Sequence, residues 1–552
     1  MEPLNRPLSD ADVEQPPRRW RRLLLVLLAS LQLLQAAPVV IAADASSPVP
    51  ARAPDPVLPA LGDAATAEMS VAGERRLGDQ IMKELNRDPA WVEDPLLLEY
   101  LKGVWLPLLG AARSRGDITD ELQAHFAWDP FLVRDRSVNA FALPGGYIGV
   151  HLGLIAMTAS RDELASVLAH ELSHVTQRHL VRMMSVEKTQ SMLGAMTMIL
   201  GLLTVTRSPE AANAVIATGQ AAMVQGQLNF SRDMEREADR IGFNVLEKAG
   251  FAPAGMMAMF NQLQQANRLN DNQQFPYLRS HPLTAERIGE AQARLGVGVG
   301  SQPTTSGKAS AMWLHAVMRA RARALMDLRA ETQRRLIAGL GDTSLGSPQD
   351  QLGAAVSAAI AATRLRDWAT AGKAIDRAHA LVRSADPVET AGLHQSMLHL
   401  QAEYLLERGK GPEAADLLLR ERDTGSRADM LLTARCVQTL NGRPSEFDAI
   451  SDKLRVWLTV SPKDAGAWSA LGQIQERQRL PVSAARAFAE AQLARGDLNG
   501  AIDRLRAAKA LAQRERFSDG VEAAVIESRL KALEYRRRAE MEEAQANGGG
   551  RR

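Results

Sequence analysis

Two histidines and a glutamate lie close together in the run LAHELSH, residues 168–174. In a helix, His170 and His174 are rotated by only about 40° relative to each other, so both imidazoles can bind one ion. Glu171 is rotated by about 100° from His170, which places its carboxylate beside the ion as a general base for a water. The alternative is a helix with two solvated histidines. The spacing predicts a hydrolytic zinc site.

A second helix is predicted downstream, and it supplies the remaining ligand. A catalytic zinc ion needs three protein ligands and one open position. The segment RDMEREADRIGFNVLEKAG has helical periodicity, with Glu235 and Asp239 on one face. We assign Glu235 as the third ligand and Asp239, with Glu171, to the catalytic machinery, as the carboxylate that orients a ligand histidine. The alternative for Glu235 and Asp239 is salt bridging on a helix surface. Glu237 points elsewhere, and we interpret it as a surface charge.

The elements around these residues are predicted to be mostly helical. Residues 131–150, FLVRDRSVNAFALPGGYIGV, indicate short strands around a Pro-Gly-Gly turn. From about residue 311 the chain is alanine-rich and helical. Its small and large residues alternate as in WSALGQIQERQRLPVSAARAFAEA, which resembles the tetratricopeptide repeat. A plain helical bundle is the alternative for this half.

The predicted fold class is therefore mainly α. A helical HExxH domain with a small β-hairpin or edge strand precedes an α-solenoid of tetratricopeptide-like repeats. The predicted segments are a signal peptide (1–43), a Pro/Ala-rich linker (44–70), a zinc peptidase domain (71–296), a second linker (297–310), the repeat domain (311–545) and a disordered tail (546–552).

The N-terminus has the pattern of an export signal. Arginines between residues 18 and 22 precede the apolar run LLLVLLASLQLL, and small residues follow near position 43. The alternative is an uncleaved membrane anchor, because the apolar run is nearly long enough to span a bilayer. We expect a cleaved signal peptide and therefore an exported protein.

Charge and cysteine content narrow the classes of partner. The formal net charge of +2 shows no basic excess, so nucleic acid is not a predicted partner. Cys436 is the single cysteine, which excludes an internal disulfide, and we interpret it as a buried apolar side chain. The apolar stretch at 192–205, MLGAMTMILGLLTV, is interpreted as a buried helix, or else as a patch that touches a membrane or client protein.

These motifs together resemble the gluzincin zinc metallopeptidases related to the CAAX prenyl protease, and within them the BepA-like periplasmic branch with C-terminal tetratricopeptide repeats. The resemblance is strongest at NAFALPGGYIGV, LAHELSHVTQRH, NFSRDMEREAD and SHPLTAERI. It implies one Zn²⁺ per chain, held by His170, His174 and Glu235. It also implies Glu171 as the general base and Asp239 as support for a ligand.

The last of these motifs adds two candidate site residues by resemblance. His281 is a candidate fourth ligand or gate that blocks access of water to the metal. Its alternatives are a partner for the tetrahedral oxyanion and a structural turn histidine. Arg287 is a candidate for an oxyanion or support role. We interpret His151 and His179 as structural, and PGGYIGVHLG as an edge strand that pairs with an extended substrate.

The resemblance also implies a function. It indicates a zinc metalloendopeptidase that hydrolyses misassembled outer-membrane β-barrel proteins, with the repeats docked on the barrel-assembly machinery. The alternative is a chaperone or assembly adaptor for such proteins in which proteolysis is minor or gated off. An intramembrane peptidase is disfavoured because the sequence lacks several long apolar segments.

Overall fold

The structure is a computed structural model. It describes residues 69–186, 232–269, 276–296, 307–342, 346–421, 425–514 and 520–548. The predicted signal peptide and the apolar stretch at 192–205 lie outside the described residues. Within the described ranges, no helix is both long enough and apolar enough to cross a bilayer.

The first part of the chain places a small sheet among helices. Its elements are α1 (Val71–Leu85), α2 (Pro95–Arg115), α3 (Asp120–His125), β1 (Asp129–Val133), β2 (Ala140–Leu143), β3 (Tyr147–His151), α4 (Leu152–Met157), α5 (Arg161–Thr176), α6 (His179–Val186), α7 (Arg232–Lys248), α8 (Ala254–Leu269), α9 (Pro276–Ser280) and α10 (Ala285–Leu295).

The second part is helical, which confirms the predicted fold class. Its helices are α11 (Gly307–Met326), α12 (Ala330–Ala338), α13 (Pro348–Arg364), α14 (Trp368–Ser384), α15 (Pro387–Thr390), α16 (His394–Glu407), α17 (Gly411–Arg420), α18 (Arg427–Val437), α19 (Pro444–Val460), α20 (Ala465–Arg477), α21 (Pro481–Ala494), α22 (Leu498–Arg514) and α23 (Gly520–Gly548). Small residues permit close packing here. A Cβ on Gly472 of α20 would lie 2.8 Å from the Phe488 ring of α21.

The sheet has the order β1-β3-β2, which corrects one prediction from the sequence. Strand β3 lies in the centre, parallel to β1 and antiparallel to β2, with Tyr147 opposite both Asp129 and Leu143. The segment PGGYIGVHLG is therefore not an edge strand. The edge beside α5 is β2, the first strand of the hairpin. Periodicity along one strand cannot show that β1 occupies the far side of β3.

The turn between β2 and β3 depends on its two glycines. Gly145 and Gly146 have φ values of +77° and +83°, a left-handed conformation that other residues adopt only with strain. The turn packs directly on α1, where a Cβ on Gly78 would lie 2.0 Å from the carbonyl oxygen of Pro144. This contact fixes the hairpin against the first helix.

Helix α5, which carries HELSH, is the centre of the core. Every residue from Glu163 to Thr176 is buried. Helix α7 crosses it at Gly242, where a Cβ would lie 3.2 Å from the backbone of Ala169 and His170. A glycine at this crossing lets the two helices predicted to carry the metal ligands approach closely.

The hydrophobic core runs without a break from the first part of the chain into the second. Trp313 and Val317 of α11 belong to the same buried cluster as Leu97 and Leu168. Helix α11 begins at Gly307, inside the segment predicted as a linker, and it packs against α4. At the other end, α23 continues to Gly548, inside the predicted tail.

A buried histidine joins the two parts and gives the first testable prediction. The Nε2–H of His315 donates to the Thr158 carbonyl over 2.9 Å, so Nδ1 accepts from the Tyr100 hydroxyl at 2.6 Å. Burial, aided by repulsion from Arg319, lowers the pKa of His315 to about 4. The unfolded chain therefore binds the proton first, and stability falls as the pH drops from about 6.5 towards 4.

When the pH falls from 7.5 to 5, we expect the unfolding free energy of the wild type to decrease by about 2 kcal/mol because of His315. Chemical denaturation at both pH values should show that this loss is absent in His315→Gln. The control variant His125→Gln replaces an exposed histidine and should lose as much stability between the two pH values as the wild type does. Equal pH dependence in His315→Gln and wild type would contradict a neutral buried imidazole.

Candidate metal centre

Three elements bring four donor side chains to one point. His170 and His174 come from α5, Glu235 from α7, and His281 from the segment after α9, and their ligand atoms all lie within 4.8 Å of one another. Each of the four side chains is buried. The fold therefore brings together the three residues that were predicted from the sequence as metal ligands, and His281 lies with them.

The spacing of the predicted ligand atoms fits a zinc ion. The Nε2 atoms of His170 and His174 are 3.0 Å apart, and each lies 3.4 Å from a carboxylate oxygen of Glu235. Ligands in a tetrahedral zinc site, at about 2.0–2.1 Å from the ion, lie roughly 3.3 Å from one another. Two imidazoles and a carboxylate are also a donor set that zinc prefers.

The tautomer of His170 is set by Asp239. Nδ1 of His170 lies 2.9 Å from Oδ1 of Asp239, and a carboxylate can only accept. Nδ1 therefore carries the proton, and the Nε2 lone pair faces the centre. Burial alone would lower the pKa of His170, but Asp239 and Glu235 raise it to about 9. The carboxylates thus favour a positive charge at this point.

The tautomer of His174 is set by a chain of contacts that the sequence did not predict. Nε2 of His179 lies 3.1 Å from Oε2 of Glu237, so that nitrogen donates. Nδ1 of His179 then accepts from Nδ1–H of His174 at 2.9 Å. This leaves the Nε2 lone pair of His174 directed at the centre. Glu237, interpreted as a surface charge from the sequence, instead supports a ligand through His179.

A break in the helix explains why this chain was missed. Helix α5 ends at Thr176, and Arg178 has a φ of 50°. This left-handed residue turns the backbone so that His179, the first residue of α6, packs its ring 4.8 Å from that of His174. On one continuous helix, the two side chains would be rotated by about 140° from each other.

Arg287 lies beneath the donors and touches two of the carboxylates. Its Nε and Nη2 atoms lie 2.6 and 2.8 Å from the Asp239 carboxylate, and its Nη1 lies 2.8 Å from Glu235. Nη1 also donates to the carbonyl of Pro282. These contacts favour the support role over the oxyanion role. Burial would raise the pKa of Glu235, but His281 and the other histidines lower it far below its usual range.

Glu171 lies beside the donors without contacting them closely. It is completely buried, its carboxylate oxygens accept no hydrogen bond from a described side chain, and the backbone N–H of Ala142 on β2 is directed at them. Nε2 of His281 lies 3.5 Å from Oε1 of Glu171. Burial raises the pKa of Glu171. A buried carboxyl group with free lone pairs beside a metal site is suited to hold a water and move its proton.

His281 contacts both halves of the site. Its Nδ1 lies 2.9 Å from Oε1 of Glu235 and 3.3 Å from Nε2 of His170. The ring of Tyr277, one turn earlier, lies 4.7 Å from that of His281 and 6.4 Å from that of His170. Sequence reasoning missed Tyr277, although it lies four residues before His281. His151 does not belong to this group of donors, and its Nδ1 lies 2.9 Å from the hydroxyl oxygen of Ser137.

Comparison with known proteins finds a family model that matches this part of the chain. Residues 117–295 match the family model described as peptidase family M48. This segment is similar to the peptidases of that family. It contains all the donors and Glu171, and it confirms the metallopeptidase resemblance and the enzyme class predicted from the motifs.

Individual relatives of the chain carry peptidase names. A putative beta-barrel assembly-enhancing protease of Vibrio cholerae is 36% identical over 241 residues, 44% of this chain and 48% of the relative. The beta-barrel assembly-enhancing protease of Escherichia coli K12 is 31% identical over 274 residues, 50% of this chain and 52% of the relative. The mitochondrial metalloendopeptidase OMA1 of Saccharomyces cerevisiae is 30% identical over 202 residues, which cover 36% of this chain and 55% of the relative. The matches span about half the length of these relatives.

The His179 contact yields a prediction about metal binding. We expect His179→Leu to weaken zinc binding by about 10–100-fold, because the Nδ1–H of His174 loses its acceptor and the ring its fixed orientation. His179→Asn should stay close to wild type, since its amide oxygen can accept in place of Nδ1. Competition with a chromophoric chelator measures both affinities. Equal affinities for the two variants would exclude this support role.

Proposed function

We propose that this chain is an exported zinc metalloendopeptidase of the periplasm that hydrolyses misassembled outer-membrane β-barrel proteins. The names of the Vibrio and Escherichia relatives, each a beta-barrel assembly-enhancing protease, support this substrate class. In this proposal the helical second half binds client proteins and docks on the barrel-assembly machinery. The predicted export signal at 1–43 supports the location.

One observation carries the proposal. The Nε2 atoms of His170 and His174 lie 3.0 Å apart and 3.4 Å from Oε2 and Oε1 of Glu235 respectively, and all three buried groups have lone pairs to direct inwards. A second buried carboxyl group, that of Glu171, lies next to these donors, and no described side chain donates a hydrogen bond to its oxygens. Three ligands and a separate base are what metal-assisted hydrolysis of an amide requires.

The residues of the site have separate roles in this reaction. Zinc, when bound, supplies a Lewis acid that polarises a carbonyl and acidifies water. Glu171 takes a proton from the attacking water and later delivers it to the leaving amine. Asp239 and His179 hold the two ligand imidazoles in orientation. Strand β2, the edge strand against α5, offers backbone groups that can pair with an extended substrate.

Metal content of the purified full chain tests the ligand assignment. Elemental analysis should find one zinc ion per chain in the wild type and in Glu171→Gln, and a loss of zinc in His170→Ala and Glu235→Ala. His394→Ala, at an exposed histidine of α16, is the control that should keep its zinc. A wild type without zinc, or full occupancy in Glu235→Ala, would contradict the site.

A second candidate function rests on His281. This residue adds a fourth donor to the three predicted ligands and so closes the position that a water needs. A chain kept in that state would act as a chaperone or assembly adaptor through its helical half. In a deletion strain, Glu171→Gln should then complement as well as wild type. Faster casein cleavage or self-cleavage by His281→Ala, with no complementation by Glu171→Gln, would favour the peptidase.

A further inference from the structure

A buried ion pair joins the first helix to the turn between α5 and α6. Oε2 of Glu74, in α1, lies 2.8 Å from Nε of Arg178, and the two side chains are 4% and 12% exposed. Nη2 of Arg178 also donates to the backbone carbonyl of Met69 over 2.7 Å. The start of α1 therefore holds the guanidinium of a residue that lies 104 positions further along the chain.

Arg178 has a backbone conformation that is typical of glycine. Its φ of 50° is left-handed, and residues with a Cβ adopt this region only at a cost in free energy. Asparagine and aspartate can offset the cost through hydrogen bonds to the local backbone, whereas the donors of an arginine lie at the end of a long side chain. Such a conformation persists where the surroundings hold it. For Arg178, the surroundings include the Glu74 carboxylate and the Met69 carbonyl.

The conformation of Arg178 decides where the next residue lies. His179 follows directly, and its Nδ1 reaches Nδ1 of His174 over 2.9 Å because the backbone turns at Arg178. Helix α1 also holds the chain on the other side of His179, since Leu180 packs on the buried cluster that contains Leu77. Helix α1 thus fixes both neighbours of the histidine that sets the tautomer of a predicted zinc ligand.

The Glu74 carboxylate has a further contact, with the turn between β2 and β3. The backbone N–H of Gly145 is directed at it, so the carboxylate accepts from this turn and from Arg178 together. Gly145 lies two positions after the last residue of β2, the strand to which the proposed function assigns substrate pairing. One buried side chain therefore connects the substrate-pairing strand with the support of His174.

We propose that Glu74 is a positioning residue of the metal centre. Its carboxylate holds Arg178 in the left-handed conformation, which keeps His179 in contact with His174 and so directs the Nε2 lone pair of His174 at the ion. This inference rests on the zinc site of the proposed function. A wild type that binds no zinc would refute that function, whereas a wild type that binds zinc and an Arg178→Ala variant that binds it equally well would refute only this inference.

Two substitutions at residue 178 separate positioning from a contribution to stability alone. Arg178→Ala and Arg178→Gly both leave Glu74 without its cation, but glycine adopts a positive φ without strain and alanine does not. Competition with a chromophoric chelator on the full chain measures the zinc affinity. We expect Arg178→Ala to weaken zinc binding by about 10–100-fold, the usual effect of losing the support of a ligand, and Arg178→Gly to stay close to the wild type. Equal affinities for the two variants would overturn the proposal.

Glu74 itself is tested in the same assay. Glu74→Met removes the acceptor and should weaken zinc binding by about tenfold or more, and the addition of Arg178→Gly should restore the affinity, because glycine needs no partner. The matched control Glu84→Met replaces another α1 glutamate, which pairs with Arg87 at the surface, and it should bind zinc like the wild type. A double variant that binds zinc as weakly as Glu74→Met alone would contradict the proposal.

The dependence on His179 is tested by a double-mutant cycle. In a chain that carries His179→Leu, Glu74→Met should weaken zinc binding no further, because the contact that Glu74 supports is already lost. Losses that multiply would show that Glu74 acts on the zinc site by another route, and the proposal would be wrong. Urea denaturation shows whether each variant folds. If Glu74→Met has no unfolding transition, the comparison of Arg178→Ala with Arg178→Gly decides alone.

Discussion

Replacement of Glu171 by glutamine is expected to lower the peptidase rate by about 10²–10⁴-fold while the zinc content stays unchanged. Glutamine keeps the shape of the side chain but cannot take up a proton from water. None of the contacts among His170, His174 and Glu235 involves Glu171, so the metal ligands should be unaffected. The rate is measured as cleavage of labelled casein by the purified chain.

Two further variants make this result specific. Glu163→Gln replaces another buried glutamate of α5, one that accepts from Ala159 and Gln262 at the far end of the helix, and it should retain activity. His281→Ala serves as a second background, because removal of the fourth donor opens the site. If Glu171→Gln leaves the cleavage rate unchanged both in the wild-type chain and in the His281→Ala chain, Glu171 takes no part in the reaction. A zinc loss in Glu171→Gln would instead make it a ligand.

The sequence predicted the part of the site that depends on spacing within one helix. His170, His174 and Glu171 follow from the period of α5, and Glu235 and Asp239 from the period of α7. Their convergence required only that the two helices cross, and Gly242 makes that crossing close. The periodicity within single helices was therefore enough to predict most residues of the candidate metal centre.

The parts that the sequence did not predict depend on where the chain turns. His179 reaches His174 because Arg178 leaves the helix with a positive φ, and no pattern of apolar residues marks that position. Strand β3 is central because β1 pairs with it in parallel, a contact between residues 18 positions apart that the hairpin pattern does not reveal.

Removal of the Arg287 guanidinium should have the largest effect on stability. Arg287 is 4% exposed and bridges Asp239 and Glu235, which are equally buried. Arg287→Met would leave two carboxylates in the core without this cation. Loss of one partner from a buried ion pair costs about 3–5 kcal/mol. We expect the metal-free chain to lose that much unfolding free energy in urea.

A second arginine of the same kind separates stability from support of the metal. Arg321 is also buried and also bridges two carboxylates, Asp94 and Glu403, but it does not contact the donors. Arg321→Met should destabilise the chain by a similar amount and leave the zinc affinity unchanged. Arg287→Met should in addition weaken zinc binding by about tenfold or more, because an Asp239 without its cation takes up a proton and no longer fixes the Nδ1–H of His170. If both variants bind zinc like the wild type, Arg287 contributes only to stability and not to the metal site.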